Sequence, residues 1–241
     1  MERKTRKSYE IDMCNGPLFG KILLFTLPLM LSGILQLLFN AADVVVVGRF
    51  AGNEALAAVG STGSLTNLLV NLFIGLSVGA NVLVARYYGG KQEEEVSQTV
   101  HTAILVSMMG GILLAAIGIA AARPLLLLMD TPENVIEHSV LYMRIYFLGM
   151  PVMLMFNFGS AILRAIGDTR RPLFYLSIAG VINVVLNLFF VISLHIGVAG
   201  VALATVLSQC VSTMLIIRCL MKSEGCFRLC FNKLHINWDK F

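Results

Sequence analysis

The chain has 241 residues, of which 57% are hydrophobic and only 13% are charged, and its mean hydropathy is +0.82. A soluble domain normally carries about 25% charged residues, so this composition excludes a soluble globular protein. The first apolar stretch is longer than the hydrophobic region of a secretory signal, and no cleavage-site pattern of small residues follows it. The composition therefore predicts an all-α, polytopic membrane protein.

Six apolar segments are each close to or above the roughly 20 residues that a helix needs to cross a bilayer. We place them at about 20–47, 56–86, 99–122, 138–163, 173–194 and 197–220. Helices are expected because lipid cannot satisfy open backbone groups, and the runs are continuous rather than alternating. The predicted organisation is a cytoplasmic segment over 1–19, a six-helix transmembrane lobe over 20–220 and a cytoplasmic tail over 221–241. A turn is expected to begin at Arg123-Pro124.

Lysine and arginine are distributed unequally between the predicted ends of these helices. One side holds both termini and the loops near Lys91 and Arg170, whereas the other side holds Arg49 and Arg123, with Arg144 just inside a helix. Cytoplasmic loops of membrane proteins are enriched in these two residue types. The bias predicts a multi-pass protein in the lipid bilayer of the cell membrane, with both termini in the cytoplasm. It also accounts for the basic tails, so we expect no nucleic-acid partner.

Asp43 is the one acid in the apolar run from Ile22 to Val47. A charge at the centre of a membrane helix costs about 2.5–3.5 kcal/mol on insertion scales, and such residues usually mark ion or substrate pathways. Gln36, Asn40 and Asp43 follow one another at steps of four and three residues. This spacing places them on one face of the first helix, which is the first candidate functional surface.

Four other helices carry a similar face of polar or small residues. These faces contain Ser64, Asn67 and Asn71; Asn157, Ser160 and Arg164; Gly180, Asn183 and Asn187; and Thr205, Gln209 and Ser212. Any one of these faces alone is explained by interhelical packing or hydrogen bonding. For Gly75 and Gly79 on the second helix we expect close packing against a neighbouring helix. The third helix is plainer. Five such faces around one acid favour the wall of a hydrated cavity over packing alone.

Pro28 lies within the first helix, fifteen residues before Asp43. A proline at this position removes a backbone hydrogen bond and bends the helix. The residues alone leave open whether the bend is static or a moving hinge.

Several motifs in the chain resemble those of the multidrug and toxic compound extrusion (MATE) family of secondary transporters. They are Leu27-Pro28-Leu-Met, Asn40-Ala-Ala-Asp43-x4-Gly48, Ala57-Ala58-Val59-Gly60, Leu163-Arg164-Ala165-Ile-Gly167-Asp168-Thr169-Arg-Arg-Pro172, Asn183-Val-Val-Leu-Asn187 and Gly197-Val-Ala-Gly200-Val-Ala. The resemblance covers about residues 16–220, and it is the order and spacing of the motifs that make it specific. It implies a fold of twelve helices in two six-helix lobes, of which this chain looks like the N-terminal one.

The resemblance also implies a cation site in this lobe. By motif and spacing, its members fall on Asp43, Asn157, Asn183, Asn187 and Thr205. Many relatives have an aspartate where Asn187 stands, so the site here has one formal negative charge, and H⁺ and Na⁺ both stay open as the coupling ion. No metal beyond a possible Na⁺ at Asp43, and no other cofactor, is implied. The family's bending first helix carries a proline where Pro28 stands, which makes Pro28 the expected hinge.

The function implied by the resemblance is cation-coupled antiport that exports lipophilic organic cations, through a cavity lined by Gln36, Asn40, Asn67 and Asn71. No enzymatic activity is expected, since the sequence has neither His-Glu-x-x-His nor Gly-x-Ser-x-Gly. One alternative is a lipid-linked oligosaccharide flippase of the same superfamily. Such a protein would need basic residues in its cavity to bind pyrophosphate, and the predicted membrane helices contain few of them. Another is a membrane fragment that transports nothing.

The implied partner of this lobe is a second lobe. Alternating access by the rocking of two lobes is expected in transporters of this kind. The chain therefore looks like a truncated gene product or a fragment that lacks its C-terminal lobe. The alternative is a half-size protein that pairs with a second copy of itself.

Overall fold

The computed structural model describes residues 18–223 and 225–230, and within these ranges it contains seven α-helices and no strand. The helices are α1 (Leu18–Val46), α2 (Asn53–Gly89), α3 (Glu93–Leu128), α4 (Glu133–Leu148), α5 (Met150–Ala165), α6 (Arg170–Leu188) and α7 (Val198–Lys222). Short π-helical segments continue α1 over Val47–Ala51 and α6 over Phe189–Ser193. Nearly all of the predicted N-terminal segment, and the predicted tail from residue 231 onward, lie outside the described residues.

The helices confirm the predicted all-α membrane fold. Five of them, α1, α2, α3, α6 and α7, are each long and apolar enough to cross a membrane, in two cases together with the π-helical segment that continues them. Helices α4 and α5 meet the same test as a pair, with a bend of 47° between them. Counted as one span, the pair gives six crossings in the described part of the chain, which is a multi-pass membrane protein.

The fourth predicted helix is not continuous, because its helical conformation is interrupted at Gly149. Pro151 has no amide hydrogen to donate to the carbonyl of Phe147, and its ring crowds that carbonyl. Gly149 donates to the carbonyl of Tyr146 at 3.0 Å, and its own carbonyl accepts from Val152 and Met153 at 3.1 Å. Pro151 thus lies in the first turn of α5, where a missing amide hydrogen is best tolerated.

Helix α3 continues through Arg123 and Pro124 to Leu128, so the prediction of a turn beginning there was wrong. Packing outweighs the effect of the proline. Ala122 and Leu126 on either side of it are fully buried, in a cluster that includes Ile136 of α4. The burial of apolar side chains therefore holds the last turns of α3 in helical form.

Helix α3 packs closely on α4 and α5 through two glycines. A Cβ added to Gly118 would lie 2.1 Å from the ring of Phe147, and one added to Gly111 would lie 2.3 Å from the Cα of Pro151. The expectation of close packing at Gly75 and Gly79 was wrong, because an added Cβ at either position meets nothing within 4 Å in the described part of the chain. Two of the tightly packed glycines of the described chain lie instead on α3, the helix that looked plainest in the sequence.

The loop between α5 and α6 is organised by one buried acid. Gly167 has a φ of +88°, a left-handed conformation that favours glycine. Asp168 has no exposed surface; it accepts the backbone amide of Arg171 at 3.1 Å and pairs with the Nε of the same residue at 3.1 Å. These bonds fix the first turn of α6 and thereby the direction in which its polar face points.

The two N-terminal helices differ from the others in how little of their surface is covered. Helix α5 packs against α2, α3 and α7, whereas α1 packs mainly against α6 and has no extensive contact with α2. Large apolar side chains of α1, such as Met30 and Leu38, are exposed. A cavity separates α1 from α2.

Candidate functional site

A cavity of about 570 Å³ lies inside the lobe. Residues of every α-helix except α3 line it. Its polar lining residues are Gln36, Asn40, Asp43, Thr66, Asn67, Asn71, Tyr142, Tyr146, Asn157, Asn183, Thr205, Ser208 and Gln209. The predicted polar faces therefore do meet around one space, and Asp43 supplies the only carboxylate among the lining residues that the structure describes.

A chain of hydrogen bonds links Asp43 on α1 to α6 and α7. The side-chain amide nitrogen of Asn187 donates to Oδ1 of Asp43 and, at 3.3 Å, to Oδ1 of Asn183. The amide nitrogen of Asn183 donates to the hydroxyl of Thr205 at 3.3 Å, and that hydroxyl donates to the carbonyl of Val201 at 3.0 Å. Four of the five residues predicted for the cation site are thus joined in one network.

The two asparagines of this network are deeply buried, with 5% of Asn183 and none of Asn187 exposed. The amide oxygen of Asn187 has no hydrogen-bond partner among the described residues. An unsatisfied buried acceptor costs about 1–3 kcal/mol, so a group that binds this oxygen would stabilise the site. Beside a carboxylate, such a group is a cation or the hydrogen of a protonated acid.

The oxygen atoms gathered here suit either of the two predicted ions. Carboxylate, amide and hydroxyl oxygens are the ligands that hard cations such as Na⁺ prefer. A carboxyl group also binds a proton, and the amide of Asn187 is able to face either form of Asp43: its nitrogen donates to the carboxylate, and its oxygen accepts from the acid. The residues present fit H⁺ and Na⁺ alike.

Asn157 stands apart from this network. It lines the same cavity, but its amide nitrogen donates to the carbonyl of Met153, one turn earlier on α5, at 3.0 Å. The structure therefore brings Asn157 to the cavity without a hydrogen bond to the Asp43 network, and its role in ion binding stays a prediction.

The four residues predicted for the substrate cavity, Gln36, Asn40, Asn67 and Asn71, all line the cavity. Their role in binding a substrate stays a prediction. Other members of the predicted polar faces do not line the cavity: Ser64, Ser160, Arg164, Asn187 and Ser212. Ser160 and Ser212 are buried within the bundle instead.

Two tyrosines on the cavity wall escaped the sequence analysis. Tyr142 and Tyr146 lie one turn apart on α4, and their rings stack with centroids 6.1 Å apart and an angle of 22° between the planes. The four-residue spacing of the two tyrosines was visible in the sequence. The sequence also suggested one unbroken helix over 138–163, so the direction of their side chains was not predicted. The sequence Gly149-Met-Pro151 was the available signal of the break that turns the two tyrosines and Asn157 toward the same space.

Pro28 lies in α1 and is not among the residues that line the cavity. The helix remains α-helical on both sides of it, and the hydroxyl of Ser32 donates to its carbonyl at 2.8 Å. Pro28 is itself buried, although most of α1 is not. Whether it acts as a hinge stays a prediction.

Comparisons with known proteins agree with these features. The MatE family model matches residues 28–189. The probable multidrug resistance protein YoeA of Bacillus subtilis is 36% identical over 205 residues, which are 83% of this chain and 44% of that protein. The FAD transporter of Shewanella oneidensis is 28% identical over 232 residues, which are 92% of this chain and 50% of that protein.

A solved structure, the crystal structure of MATE in the straight conformation, superposes on 98% of this chain with a TM-score of 0.86 and 27% sequence identity. It is matched over 52% of its own length. The chain thus spans about half the length of the curated relatives and of the solved transporter that it matches. Since the family model covers most of the chain and the fold superposes over nearly all of it, this chain belongs to the MATE family.

Proposed function

We propose that this chain forms the ion-coupling lobe of an antiporter that exports lipophilic organic cations in exchange for H⁺ or Na⁺. The observation that carries the proposal is the cavity of about 570 Å³ whose lining holds one carboxylate, Asp43, hydrogen-bonded to a buried amide. The volume falls within the range of about 300–1,000 Å³ that is typical of small-molecule sites.

The chemistry of the wall suits an organic cation with aromatic or apolar groups. Asp43 supplies the negative charge, and Phe39, Tyr142, Tyr146 and Phe156 supply aromatic rings on which a cation is able to stack. Met150 and Met153 add flexible apolar surface that adapts to ligands of different shape. No lysine, arginine or histidine is among the described lining residues, which disfavours a pyrophosphate-bearing lipid as the cargo.

Exchange follows if the coupling ion and the organic cation compete for Asp43. A proton or Na⁺ neutralises the carboxylate and removes the charge that holds the organic cation. The two ligands then drive transport only if each favours a different conformation of the lobe. Helix α1, which carries both Asp43 and Pro28 and is largely uncovered, is the element that this model requires to move.

The proposal includes a location and a partner. We place the protein in the cell membrane with both ends in the cytoplasm, as the distribution of Lys and Arg predicts. The lobe works against a second six-helix lobe, since its relatives are about twice its length. A second copy of this chain is the alternative source of that lobe.

Ethidium uptake into proteoliposomes tests the proposal. The chain is reconstituted alone and as a tandem fusion of two copies, and an outward gradient of H⁺ or Na⁺ is imposed. We expect gradient-driven uptake in at least one of the two forms, at about tenfold the rate of protein-free vesicles, and no gradient-driven uptake with Asp43→Asn, because the amide takes up no proton and lacks the negative charge for which the ion and the organic cation compete.

Asp130→Asn is the matched control, since it makes the same chemical change in an exposed acid that does not line the cavity. It should transport at the rate of the unmodified chain. Gradient-driven uptake that survives Asp43→Asn would show that Asp43 is not the coupling group. Absence of uptake from both forms, with either ion, would show that neither this chain alone nor two joined copies of it transport organic cations, and would overturn the second copy as the source of the second lobe.

A further inference from the structure

Helix α1 is held in the lobe almost entirely by one neighbour. Apart from the π-helical segment that continues it, the element that it contacts extensively in the described part of the chain is α6. Only 6% of its most apolar stretch is buried. The distance between α1 and α6 therefore decides whether Asp43, on α1, reaches Asn187, on α6.

Where α1 meets α6, the ring of Phe39 packs directly against Gly180. A Cβ added to Gly180 of α6 would lie 1.9 Å from both Cε2 and Cζ of Phe39 on α1, and 2.4 Å from its Cδ2. The ring of Phe39 thus occupies the volume that any side chain at position 180 would need. The two helices approach this closely only because position 180 is a glycine.

The contact lies next to the hydrogen-bonded pair. Phe39 precedes Asp43 by four residues, or about 6 Å along the helix, and lies between it and Pro28. Gly180 precedes Asn183 and Asn187 by three and seven residues, which places all three on one face of α6. The contact and the hydrogen bond are therefore two points of the same helix–helix interface.

We propose that Phe39 and Gly180 are positioning residues: the ring seated on the glycine holds α1 at the separation from α6 at which Asp43 reaches Asn187. The proposal rests on the proposed function in one respect, namely that Asp43 is the ion-coupling group. It adds a steric contact, outside the hydrogen-bond network, that controls the state of this acid.

The same contact links the ion site to the substrate cavity. Both Phe39 and Gly180 line the cavity, and the ring is only partly buried. A ligand that pushes the ring off Gly180 removes the contact that holds Asp43 against Asn187. An organic cation in the cavity and an ion at Asp43 would then bias the position of the same helix, which is the physical requirement for coupling between two sites.

Four variants of the chain test the proposal. Gly180→Ala removes the space for the ring, and Phe39→Val removes the three ring atoms that would collide. The double variant Phe39→Val with Gly180→Ala restores the fit with the bulk exchanged between the helices. Gly79→Ala is the matched control, because it adds a methyl group to an exposed membrane-helix glycine where no atom of the described chain lies within 4 Å.

The readout is the rate at which N,N′-dicyclohexylcarbodiimide modifies Asp43 in detergent or lipid, measured by mass spectrometry of the Asp43 peptide over a range of pH. This reagent reacts with protonated carboxyl groups in apolar surroundings, and it requires no transport. We expect Gly180→Ala to change the rate at a given pH by about tenfold, since a displacement near 1 Å changes the rate of a positioned group by up to about a hundredfold. The double variant and Gly79→Ala should stay within about twofold of the unmodified chain, because neither displaces α1.

A second measurement keeps the test decisive if Asp43 is not modified at all. The native cysteines are replaced, and spin labels are attached at Leu38 on α1 and Leu113 on α3, which are both exposed. The labels report the distance between α1 and α3. Gly180→Ala should shift this distance, and the double variant should restore it. An unshifted distance and an unchanged modification rate in folded Gly180→Ala, or a double variant that behaves like Gly180→Ala, would overturn the proposal.

Failure of the proposed function would look different. The unmodified chain would then show no gradient-driven ethidium uptake, while Gly180→Ala would still differ from the double variant and from Gly79→Ala in the position of α1.

Discussion

The side-chain amide of Asn187 on α6 donates a hydrogen bond to Asp43 on α1, and the oxygen of the same amide is buried without a hydrogen-bond partner among the described residues. A neutral amide therefore occupies the place beside the acid where many relatives are expected to carry a second carboxylate. The predicted ion site therefore has one carboxyl group in place of two, beside an amide oxygen that has no hydrogen-bond partner among the described residues.

Replacing this amide with an acid should shift the site toward Na⁺. In Asn187→Asp, a second carboxylate adds Coulombic attraction for a cation at Asp43. Protection of Asp43 from carbodiimide by Na⁺ measures the affinity, and we expect the half-protecting Na⁺ concentration to fall about tenfold, equivalent to about 1.4 kcal/mol. Titrations at fixed pH, in buffers whose ionic strength is held constant with choline, separate Na⁺ binding from screening.

Asn71→Asp is the comparison for this experiment. It adds a carboxylate to the same cavity, on α2 and outside the Asp43 network. A gain in Na⁺ protection confined to Asn187→Asp supports direct ligation at Asp43. An equal gain in both variants would mean that the cavity merely attracts cations through its total charge, and the idea of a site at Asn187 would fail.

Pro28 should matter for movement and not for ion binding. In Pro28→Ala, the carbonyl of Leu24 regains a backbone hydrogen bond and α1 becomes harder to bend. We expect ion-driven ethidium uptake to fall about tenfold. Na⁺ should still protect Asp43 from carbodiimide, and its modification should still depend on pH, because Asp43 lies about four turns beyond the proline.

The chain offers a second proline inside a membrane helix as the control. Pro124→Ala makes the same change in α3, which contributes no residue to the cavity. It should leave uptake unchanged. If Pro28→Ala transports as fast as Pro124→Ala, bending at Pro28 has no part in the transport cycle.

Composition and periodicity were enough to predict most of this fold. Long apolar runs predicted six spans, and the helical spacing of Gln36, Asn40 and Asp43 placed them on one face, as the structure confirms. The break at Gly149 and the unbroken helix at Pro124 were not predicted. Both depend on whether tertiary packing compensates for a proline, and the burial of Ala122 and Leu126 is not visible in a local sequence window.

The site was predictable to the extent that it is polar. Amides and an acid in membrane helices are conspicuous in a sequence, and the four substrate-cavity candidates that they suggested all line the cavity, while their role in binding stays a prediction. The tyrosines of α4 and the contact between Phe39 and Gly180 were not found. Aromatic residues and glycines are ordinary in membrane helices, and a contact between residues so far apart in sequence leaves no periodic signal.

The stacked tyrosines should contribute affinity for the organic cation through their rings. In Tyr146→Leu, the aromatic face next to the cavity is lost, whereas Tyr146→Phe keeps the ring and removes only the hydroxyl. A cation–π contact is worth about 0.5–2 kcal/mol, so Tyr146→Leu should weaken ethidium binding by about 2-fold to 30-fold. Fluorescence titration in detergent measures this, and equal weakening by Tyr146→Phe would assign the effect to the hydroxyl and contradict the cation–π contact.

The tight packing of α3 predicts different effects for two adjacent glycines. A methyl group at position 111 would fall 2.3 Å from the Cα of Pro151, a backbone atom that is unable to rotate away, whereas one at position 110 meets no atom within 4 Å in the described part of the chain. Overpacking of this kind typically costs about 1–3 kcal/mol, so Gly111→Ala should lower the unfolding free energy by that amount. Gly110→Ala should be neutral or stabilising by up to about 1 kcal/mol, since alanine favours the helix. Titration of the protein in mixed micelles with sodium dodecyl sulfate measures both values. Equal stabilities would show that α3 is free to move away from α5. In that case α3, the helix that does not line the cavity, would not be a rigid support for the movement proposed for α1.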